Sequence, residues 1–504
     1  MSKMEKVVEA CKRRAIIFPT AEIYGGTSGF FEYGPIGALL KRKFENYWRE
    51  HFIKSEDNIV EIEGCVVLPK VVWEASGHLE GFVDPLTQCK SCMSIHRADH
   101  LVQSATGKFV EGLSPEKLTE IIKEENLKCP SCKGELSEVR LFNMMLGTII
   151  GPVEGQEAHL RPETAQNTFT NFRRVFKAMR AKLPFGIAQI GRSFRNEISP
   201  RHFVVRVREF GQLEIEMFLD PERLDECPKF DEVADTEITI YTREAQEKGK
   251  EPIRLTAREA FEKRIIPNKY MAYFLAKEFL FFQSLGIPKE ALRFRHLRKE
   301  ETPHYSKANF DLEIKFEFGW CESVGNAYRS DYDLKRHMQY SKQDLTVMTP
   351  DGRKVIPHVV EPSFGVERPI AGLLLHCFQV GKERGWSWFK FPAKIAPYAV
   401  AVFPLVNKDG LPEKAKEVYK LLKSRFDVFY DGSGSIGRRY ARADDVGTFL
   451  AVTIDYQTLD DQTVTIRNRD TTEQIRAEIG EIKCIIDELL GGKPFEKVDP
   501  QRSD

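Results

Sequence analysis

Apolar residues at helical spacing mark one long helix near the start of the chain. The members of this stripe recur every three or four positions: Ile36, Leu39, Leu40, Phe44, Tyr47, Trp48 and Phe52. Pro35 stands just before them and suits a first helical turn, because the N–H that proline lacks would be unpaired there anyway. A β-rich segment, residues 59–68, follows and ends at Pro69. The pattern therefore predicts a helix and then a strand.

Two strands are predicted in the middle of the chain, over residues 185–198 and 204–219, joined by the sequence Ser-Pro-Arg-His-Phe. The next segment, residues 220–302, is charged and partly helical but shows no clear periodicity. Residues 355–364 predict another strand, which ends at a turn, and an amphipathic helix follows. The apolar positions of that helix are Ile370, Leu373, Leu374, Cys377 and Phe378.

Strands and helices alternate after residues 392–397, which contain two prolines and mark a domain boundary. The predicted elements are a strand over 398–405, a helix over 413–426, a strand over 428–430, strands over 449–454 and 464–467, and a last helix over 472–490. This alternation predicts a small α/β domain at the C-terminal end.

Composition changes this picture little. The 504 residues exceed the ~250–300 at which a single core stops growing, so we expect one large and one small domain. Lysine plus arginine equals aspartate plus glutamate, 75 of each, so net charge neither favours nor excludes a nucleic-acid partner. No apolar run approaches the ~18–20 residues of a membrane span, and residues 1–6 lack the apolar stretch of a signal peptide. We therefore expect a cytoplasmic protein with reduced cysteines and no membrane partner.

The two central strands carry an unusual density of arginine and glutamate. Side chains alternate between the faces of a strand, so each strand presents a charged set on one face. These sets are Gln189, Ser193, Arg195 and Glu197 on the first strand, and Arg206, Arg208, Phe210, Gln212, Glu214 and Glu216 on the second. One interpretation is a solvated sheet face with cross-strand ion pairs. The other is a binding site, because arginine forks match phosphate oxygens and carboxylates accept hydrogen bonds from amines.

Four cysteines form two CxxC pairs: Cys89, Cys92, Cys129 and Cys132. Four thiolates spaced in this way suit a structural tetrahedral Zn²⁺ site. The gap between the pairs is longer than common zinc-ribbon spacing, so an inserted segment must close it. Cysteines packed in a core, or a redox pair, are the alternatives.

Several blocks of the sequence resemble class II aminoacyl-tRNA synthetases, in the form that glycyl-tRNA synthetases carry. The stretch FRNEISPRHFVVRVREFGQLEIE resembles motif 2, EPSFGVERPIAGLL resembles motif 3, and residues 34–69 resemble motif 1. Further glycyl-type blocks include EIYGGTSGFFEYGPIG, SGH at residues 76–78, FNMMLGTIIGP, LRPETAQ, GWCESVGNAYRSDYDL and DGSGSIGRRYARADDVGT. Their shared order makes a chance match negligible.

The resemblance implies an α+β fold and a glycine–tRNA ligase. Residues 1–392 would form an antiparallel-sheet catalytic domain with a zinc-binding insertion at about 86–140 and a second insertion at about 220–302, and residues 393–504 an α/β anticodon-binding domain. The implied substrates and partners are glycine, ATP with Mg²⁺, and tRNA(Gly). Motif 1 builds the dimer interface in this class, so a homodimer is expected, with the apolar face of the motif 1 helix and strand covered by a partner.

The resemblance also implies roles for individual residues. In the nucleotide site Arg195 would contact the α-phosphate, Glu197 the adenine amino group, Arg206 the triphosphate and Arg368 the γ-phosphate, while Phe210 stacks on adenine. Arg195 and Arg368 are the expected catalytic residues. The remaining nucleotide-site positions are Asn196, Val207, Ser323 and Glu322, the last through Mg²⁺. The glycine pocket would consist of Glu163, Glu214, Glu361, Pro362 and Ser363. Glu361 and Ser363 stand two apart on a predicted strand and so share a face.

The C-terminal arginines Arg438, Arg439, Arg442, Arg467 and Arg469 are expected to meet RNA phosphates and unstacked bases. Phe449 departs from the related domains, many of which have proline there; harmless repacking is the favoured explanation. Two other functions compete with glycine ligation. One is a prolyl or threonyl enzyme of the same group, against which the RPETAQ and EPSFG blocks count. The other is a catalytically inactive, nucleic-acid-binding relative, against which Arg195, Arg206 and Arg368 count.

Overall fold

The computed structural model describes residues 1–107, 110, 112–152, 155–381 and 384–498. Its strands are β1 (Ile17–Pro19), β2 (Phe31–Tyr33), β3 (Ile59–Ile62), β4 (Val67–Pro69), β5 (Val83–Gln88), β6 (Ile95–Arg97), β7 (Arg140–Asn143), β8 (Leu146–Ile150), β9 (Gln156–Leu160), β10 (Phe185–Phe194), β11 (Glu209–Leu219), β12 (Glu237–Tyr241), β13 (Ile253–Thr256), β14 (Leu292–His296), β15 (Ala308–Phe316), β16 (Gly319–Ser330), β17 (Val347–Met348), β18 (Lys354–Val355), β19 (His358–Gly365), β20 (Phe378–Gln379), β21 (Trp388–Phe389), β22 (Val400–Pro404), β23 (Val428–Tyr430), β24 (Leu450–Ile454), β25 (Thr463–Asn468) and β26 (Gln474–Glu478).

The α-helices are α1 (Lys3–Arg13), α2 (Pro35–Arg49), α3 (Lys70–Ser76), α4 (His78–Gly81), α5 (Ala98–Thr106), α6 (Pro115–Glu124), α7 (Ala165–Ala178), α8 (Phe230–Val233), α9 (Arg243–Glu247), α10 (Ala257–Glu262), α11 (Lys269–Ser284), α12 (Tyr332–Ser341), α13 (Glu367–Cys377), α14 (Leu411–Lys423), α15 (Ile436–Asp445), α16 (Tyr456–Asp461) and α17 (Ile482–Leu490). Among the residues described, no helix is long and apolar enough to cross a membrane.

A nine-stranded sheet forms the centre of the larger domain. Its strand order is β13-β12-β14-β15-β16-β19-β11-β10-β3. Every neighbouring pair is antiparallel except β10 with β3 and β12 with β14. Short connections such as the one between β15 and β16 permit antiparallel pairing, and the helices lie mostly outside the sheet. The predicted α+β class is confirmed.

Helices α2 and α11 cover one face of this sheet. The stripe predicted for α2 is buried within the chain itself, where Phe44 and Phe52 pack on Phe281 of α11, and Trp48 and Phe52 pack on Phe364 of β19. The expectation that a partner subunit covers this apolar face is therefore wrong, because α11 already covers it. The β-rich segment after α2 also divides in two, with β3 in the large sheet and β4 in a separate three-stranded sheet.

Residues 220–302 are part of the main architecture. They contribute β12, β13 and β14 to the nine-stranded sheet, and α11 to the core beneath it. Helix α11 is buried on nearly every side, from Tyr270 to Phe282. A helix that is buried on nearly every side lacks the polar face that creates a 3.6-residue period. This explains why no clear periodicity is visible over these residues.

Residues 83–143 form a small lobe on the edge of the large domain. Strands β6, β5 and β7 make an antiparallel sheet, and α5 and α6 pack together over their own apolar cluster of Val102, Leu118 and Ile122. The four cysteines lie in this lobe, at the tips that follow β5 and α6.

The C-terminal domain has its own five-stranded sheet, ordered β23-β22-β24-β25-β26, and its own core. Strands β22 to β24 pair in parallel and β24 to β26 antiparallel. Two predictions were wrong in detail here. Helix α15, which begins at the end of the glycine-rich stretch at residues 432–437, was not predicted. The predicted last helix over 472–490 begins as strand β26. The alternating burial of Ile475 and Ala477 within β26 is a two-residue period.

Candidate active site

One cavity of about 380 Å³ opens on the face of the nine-stranded sheet. Strands β11, β16 and β19 supply its floor, and the loop between β10 and β11 forms one wall. Of the fourteen positions predicted for the nucleotide and glycine sites, twelve line this cavity. They are Glu163, Arg195, Glu197, Arg206, Val207, Phe210, Glu214, Glu322, Ser323, Glu361, Ser363 and Arg368.

Asn196 and Pro362 are not among the cavity-lining residues. Pro362 lies on β19 between Glu361 and Ser363, so alternation along the strand turns it to the opposite face of the sheet. Asn196 directs its backbone N–H to the carbonyl oxygen of Met144, 2.9 Å away. The structure therefore brings these two predicted residues near the site without making them part of its surface.

The charged residues of motif 2 lie mostly in the loop between β10 and β11. The predicted strands were too long at this end, because pairing stops where Phe194 meets Glu209. Arg195, Glu197 and Arg206 thus follow or precede the strands, and their side chains are placed by loop contacts. A loop can turn neighbouring residues to the same side, which explains why Arg206 and Val207 both face the cavity.

Arg195 is held between two aromatic rings. Its guanidinium carbon lies 5.4 Å from the ring centroid of Phe82 and 5.2 Å from that of Phe210. Nε donates a hydrogen bond to the carbonyl oxygen of Pro162, 3.2 Å away. The aromatic faces and this bond fix the direction of the guanidinium.

Glu197 and Arg206 form an ion pair across the same loop, with 2.7 Å between Oε2 and Nε. Arg368 lies on the first turn of α13, as predicted. It donates to the carbonyl oxygen of Val205 at 2.8 Å and to Oε2 of Glu322 at 3.1 Å. Three arginines therefore surround this end of the cavity, each oriented by a protein acceptor.

Buried carboxylates occupy the other end. Glu163 accepts a hydrogen bond from Gln166 at 2.8 Å, and Nε2 of His78 lies 3.3 Å from its Oε2. Burial raises the pKa of Glu163, but the charges of His78 and Arg329 outweigh that effect and hold it well below its usual range. Glu163 is therefore an ionised group with its partners already in place.

Arg329 is the main residue of the site that sequence reasoning missed. It is 1% exposed and lies directly under the carboxylates. Two of its nitrogens donate to Asp333, at 2.7 and 2.8 Å, and a third donates to Glu361 at 2.5 Å. Its guanidinium also covers the ring of Tyr305, 4.0 Å from the centroid. The sequence did carry a signal, since arginine and aspartate stand four apart in the RSDYD stretch.

Two of the predicted glycine ligands have raised pKa values. Burial raises the pKa of Glu361 to about 8, although Arg329 opposes this shift. Burial and the nearby charge of Glu163 raise the pKa of Glu214, which accepts a hydrogen bond from Thr164. Ser363 accepts from Gln212 at 3.2 Å and completes this wall.

A second acidic group, also missed in the sequence, lies beside Glu322. Asp311 lines the cavity, and burial together with the charge of Glu322 raises its pKa well above the usual range. Arg295 joins this group, with Nη1 2.8 Å from Glu301 and Nη2 3.6 Å from Asp311. Carboxylate oxygens are the donors that Mg²⁺ prefers, so the donor set suits that ion.

The four cysteines of the small lobe come together as the spacing predicted. Their sulfur atoms all lie within 4.8 Å of one another, with 3.4 Å from Cys89 to Cys132 and 3.7 Å from Cys92 to Cys129. Four thiolates at ~2.3 Å from one Zn²⁺ would stand about 3.8 Å apart at the corners of a tetrahedron. The cluster therefore fits a structural zinc ion.

The C-terminal arginines behave differently from the prediction. Arg439, Arg467 and Arg469 are buried; Arg439 donates to backbone carbonyls such as that of Gly432, and Arg467 pairs with Asp444. Arg469 donates to the carbonyl oxygen of Phe391 at 2.6 Å and so ties the two domains together. Arg442 pairs with Asp431. Of the five, Arg438 is the exposed one, so the expectation that all five face RNA is wrong.

Family models match both parts of the chain. Residues 152–376 match the tRNA synthetase class II core domain (G, H, P, S and T), and residues 399–489 match the anticodon binding domain. The structure is also similar to that of a prolyl-tRNA synthetase from Cryptosporidium parvum, with a TM-score of 0.57 over 97% of this chain and 75% of that one. At 13% identity this likeness concerns the fold alone. Together with the cavity, these matches define a class II aminoacyl-tRNA synthetase.

Curated relatives narrow the class. The chain is 41% identical to the glycine–tRNA ligase of Aeropyrum pernix, with 95% of each chain covered. It is 42% identical to that of Pyrococcus furiosus and 38% identical to that of Methanothermobacter thermautotrophicus, covering 97% of this chain and 99% of theirs in both cases. The chain belongs to the glycine–tRNA ligase family.

Proposed function

We propose that this protein activates glycine with ATP and transfers it to the terminal adenosine of tRNA(Gly). One observation carries the proposal: a single cavity has three arginines at one end and buried carboxylates at the other. Phosphates would occupy the arginine end, and the α-ammonium of glycine the carboxylate end. Glycine has a positive and a negative end itself, so this polarity orients it with its carboxylate toward the nucleotide.

We assign the nucleotide roles by residue. Arg195 contacts the α-phosphate, because of the three arginines it is the one whose guanidinium is bonded to the carboxylate wall, through the carbonyl oxygen of Pro162, the residue before Glu163. Arg368 and Arg206 hold the outer phosphates, and Phe210 provides the flat apolar surface on which adenine stacks. Glu197 accepts from the adenine amino group. Its present partner, Arg206, donates through a single nitrogen, so the carboxylate keeps acceptor capacity.

The chemistry needs positioning and positive charge. In the first step a glycine carboxylate oxygen attacks the α-phosphorus, the bond to the bridging oxygen breaks, and pyrophosphate leaves. The nucleophile is already ionised, so no protein base removes a proton, and the arginines stabilise charge on the phosphate oxygens. In the second step a ribose hydroxyl of the tRNA attacks the adenylate carbonyl and AMP leaves.

Metal ions have two proposed roles. Glu322, with Asp311 beside it, would hold Mg²⁺, which neutralises charge on the triphosphate when bound. Cys89, Cys92, Cys129 and Cys132 would hold one structural Zn²⁺, which ties the two CxxC tips of the small lobe together.

Glycine selectivity follows from filled space. The carboxylates and Ser363 surround the place of the ammonium, and an added methyl group would need about 1–3 kcal/mol or more to enter a packed site. The hydroxyl of a serine substrate would also be left without a hydrogen-bond partner there. The pocket thus binds glycine by its charges and excludes larger amino acids by its walls.

We also propose a homodimer, through the strand edge of motif 1 and not through the buried face of its helix. Strand β3 forms an open edge of the nine-stranded sheet, and Ile23 and Tyr24 are 87% and 86% exposed. An unpaired edge and exposed apolar side chains are features that a partner subunit covers.

The test is ATP–pyrophosphate exchange driven by single amino acids, followed by charging of tRNA. Glycine should drive exchange, and alanine, serine, proline and threonine should not. Exchange with proline or threonine comparable to that with glycine would refute the assignment of substrate. Absence of exchange with any amino acid would favour the inactive nucleic-acid-binding alternative.

A further inference from the structure

Glu216 has no assigned role and is not among the residues that line the cavity, but it lies directly behind two that do, Glu214 and Glu361. It stands on β11 two residues after Glu214, so both side chains are on the same face of the strand. Glu216 is 1% exposed, and among the residues described neither of its carboxyl oxygens has a hydrogen-bond partner. A carboxyl group buried in this way is strongly unfavourable as a bare anion. It must hold a proton or meet a cation.

The neighbouring carboxyl groups differ from Glu216 in this respect. Glu163 has Gln166 and His78 as partners, and Glu361 has Arg329. Glu214 accepts from Thr164. The unsatisfied group is therefore a single, identified side chain in a cluster whose other members are already bonded.

The geometry provides a place for a small cation. One oxygen each from Glu214, Glu216 and Glu361 lies within 4.8 Å of the others. Three atoms no farther apart than this share a central point that is at most about 2.8 Å from each of them, within reach of charge-assisted N–H···O bonds. An ammonium group has three N–H donors, one for each of these carboxylates.

Burial and the surrounding charges favour the protonated form of Glu216 when no ligand is bound. Glu216 faces Glu214 on its own strand, Glu361 on β19, Arg329 on β16 and Asp333 on α12. The guanidinium of Arg329 is already shared between Asp333 and Glu361. Burial, and then the charges of Glu361 and Glu214, raise the pKa of Glu216 well above its usual range.

We propose that Glu216 is a third carboxylate ligand of the glycine α-ammonium and that it loses its proton to solvent when glycine binds. The O–H bond of the acid breaks, the proton goes to water, and the carboxylate pairs with the ammonium. No bond to glycine forms or breaks, and no oxidant or reductant takes part. Three acceptors around the ammonium fix the direction of the N–Cα bond. The Cα atom is therefore held at one position, and the walls of the pocket there exclude a side chain. This inference rests on the glycine pocket proposed above.

The first test is calorimetry on the full-length enzyme. Glycine is titrated at one pH near 7 in phosphate and in Tris buffer, which differ in ionisation enthalpy. We expect release of more than one proton per glycine bound, because Glu361, with a pKa of about 8, also loses its proton. The KM for glycine in pyrophosphate exchange should fall as pH rises from about 6 to 8, by about tenfold per unit for each proton released.

The second test is Glu216→Gln, which keeps the shape and removes the charge and the proton. The KM for glycine should rise about 10- to 100-fold, with kcat and the KM for ATP within about threefold. Proton release should fall by about one per glycine bound, and the pH dependence of the KM should become weaker, with the remainder due to Glu361. Glu278→Gln is the matched control, because Glu278 is also fully buried with an unpartnered Oε1, but on α11 outside the cavity. It should leave the KM for glycine unchanged.

The outcomes separate this inference from the proposed function. A glycine KM within twofold of wild type in Glu216→Gln, while Glu361→Gln raises it, would overturn the role of Glu216 and leave the pocket standing. An unchanged KM in both variants would overturn the pocket itself. If Glu216→Gln does not fold, the titration is repeated on Glu361→Gln, in which proton release should persist because Glu216 is still present. Glycine binding without proton release, or with release of a metal ion, would contradict the inference.

Discussion

Replacing Arg329 with methionine should both loosen the larger domain and weaken glycine binding. Methionine keeps much of the length of arginine but leaves Asp333 and Glu361 without the cation that they share. Removing one member of a buried ion pair costs about 3–5 kcal/mol, since the charges left behind stay desolvated. This is a large share of the roughly 5–15 kcal/mol that holds a domain folded.

The functional effect follows from the same lost charge. The pKa of Glu361 is already raised to about 8 by burial, and Arg329 opposes the shift. A carboxyl group with this pKa must lose a proton near neutral pH before it can pair with the ammonium as an anion. Without Arg329 that pKa rises further, so ionising Glu361 costs more free energy and the ammonium is held less tightly. We expect the KM for glycine to rise about 30-fold or more, the usual effect of breaking a buried charged contact. The KM for ATP should change much less, because the nucleotide arginines lie at the other end of the cavity.

Urea unfolding and scanning calorimetry measure the stability, with the transitions of the two domains treated separately. Pyrophosphate exchange over a range of glycine concentrations measures the KM. Arg329→Met combined with Asp333→Leu is the control. Apolar replacement of both partners should recover part of the stability, whereas the KM should stay high because Glu361 still lacks its partner. Arg329→Met with a free energy of unfolding within 1 kcal/mol of wild type and an unchanged KM would refute the reasoning.

Four further predictions concern other parts of the molecule. Arg195→Ala should slow glycine-dependent exchange by on the order of 10²–10³ with little change in melting temperature; a loss under tenfold would remove Arg195 from the α-phosphate. Elemental analysis of protein purified without chelators should find one zinc per chain, and a cysteine-to-serine change in the cluster should abolish it. Sedimentation at micromolar concentration should give a dimer, and Tyr24→Asp should weaken it; a wild-type monomer would contradict the proposed interface. In the C-terminal domain, Arg438→Glu should reduce tRNA charging but not exchange, while Arg439→Ala should lower the melting temperature; equal charging by Arg438→Glu and wild type would exclude that helix from RNA binding.

Much of the site could be predicted because its residues follow local rules. Glu361 and Ser363 share a face by strand alternation, and Arg368 lies at the start of a helix with a plain apolar stripe. The CxxC spacing alone predicts that the four cysteines form a metal site. In each case the information lies within a few neighbouring positions, and this is the range over which a single sequence is informative.

The missed features depend on contacts between distant segments. Arg329, on β16, acquires its role only when β19 and the loop before α7 bring Glu361 and Glu163 to it. Helix α11 was not predicted, because a helix buried on nearly every side shows no alternation of apolar and polar faces in its sequence. Arg439 and Arg438 are adjacent in sequence and look alike, but the backbone of the glycine-rich stretch folds over one of them and leaves the other in solvent.

The arrangement of charge in the cavity also explains why the sequence shows no set of residues for acid–base catalysis. The carboxylate end holds the ammonium, so the carboxylate of glycine points toward Arg195. That arginine donates a hydrogen bond to the carbonyl oxygen of Pro162, the residue before Glu163, so its position is tied to the wall of the carboxylate end. The reacting oxygen is thereby brought to the α-phosphate already charged, and the barrier is lowered by orientation and by the fixed positive field. Substitutions that move the carboxylate end should therefore lower kcat for exchange even where no atom near the phosphate has changed.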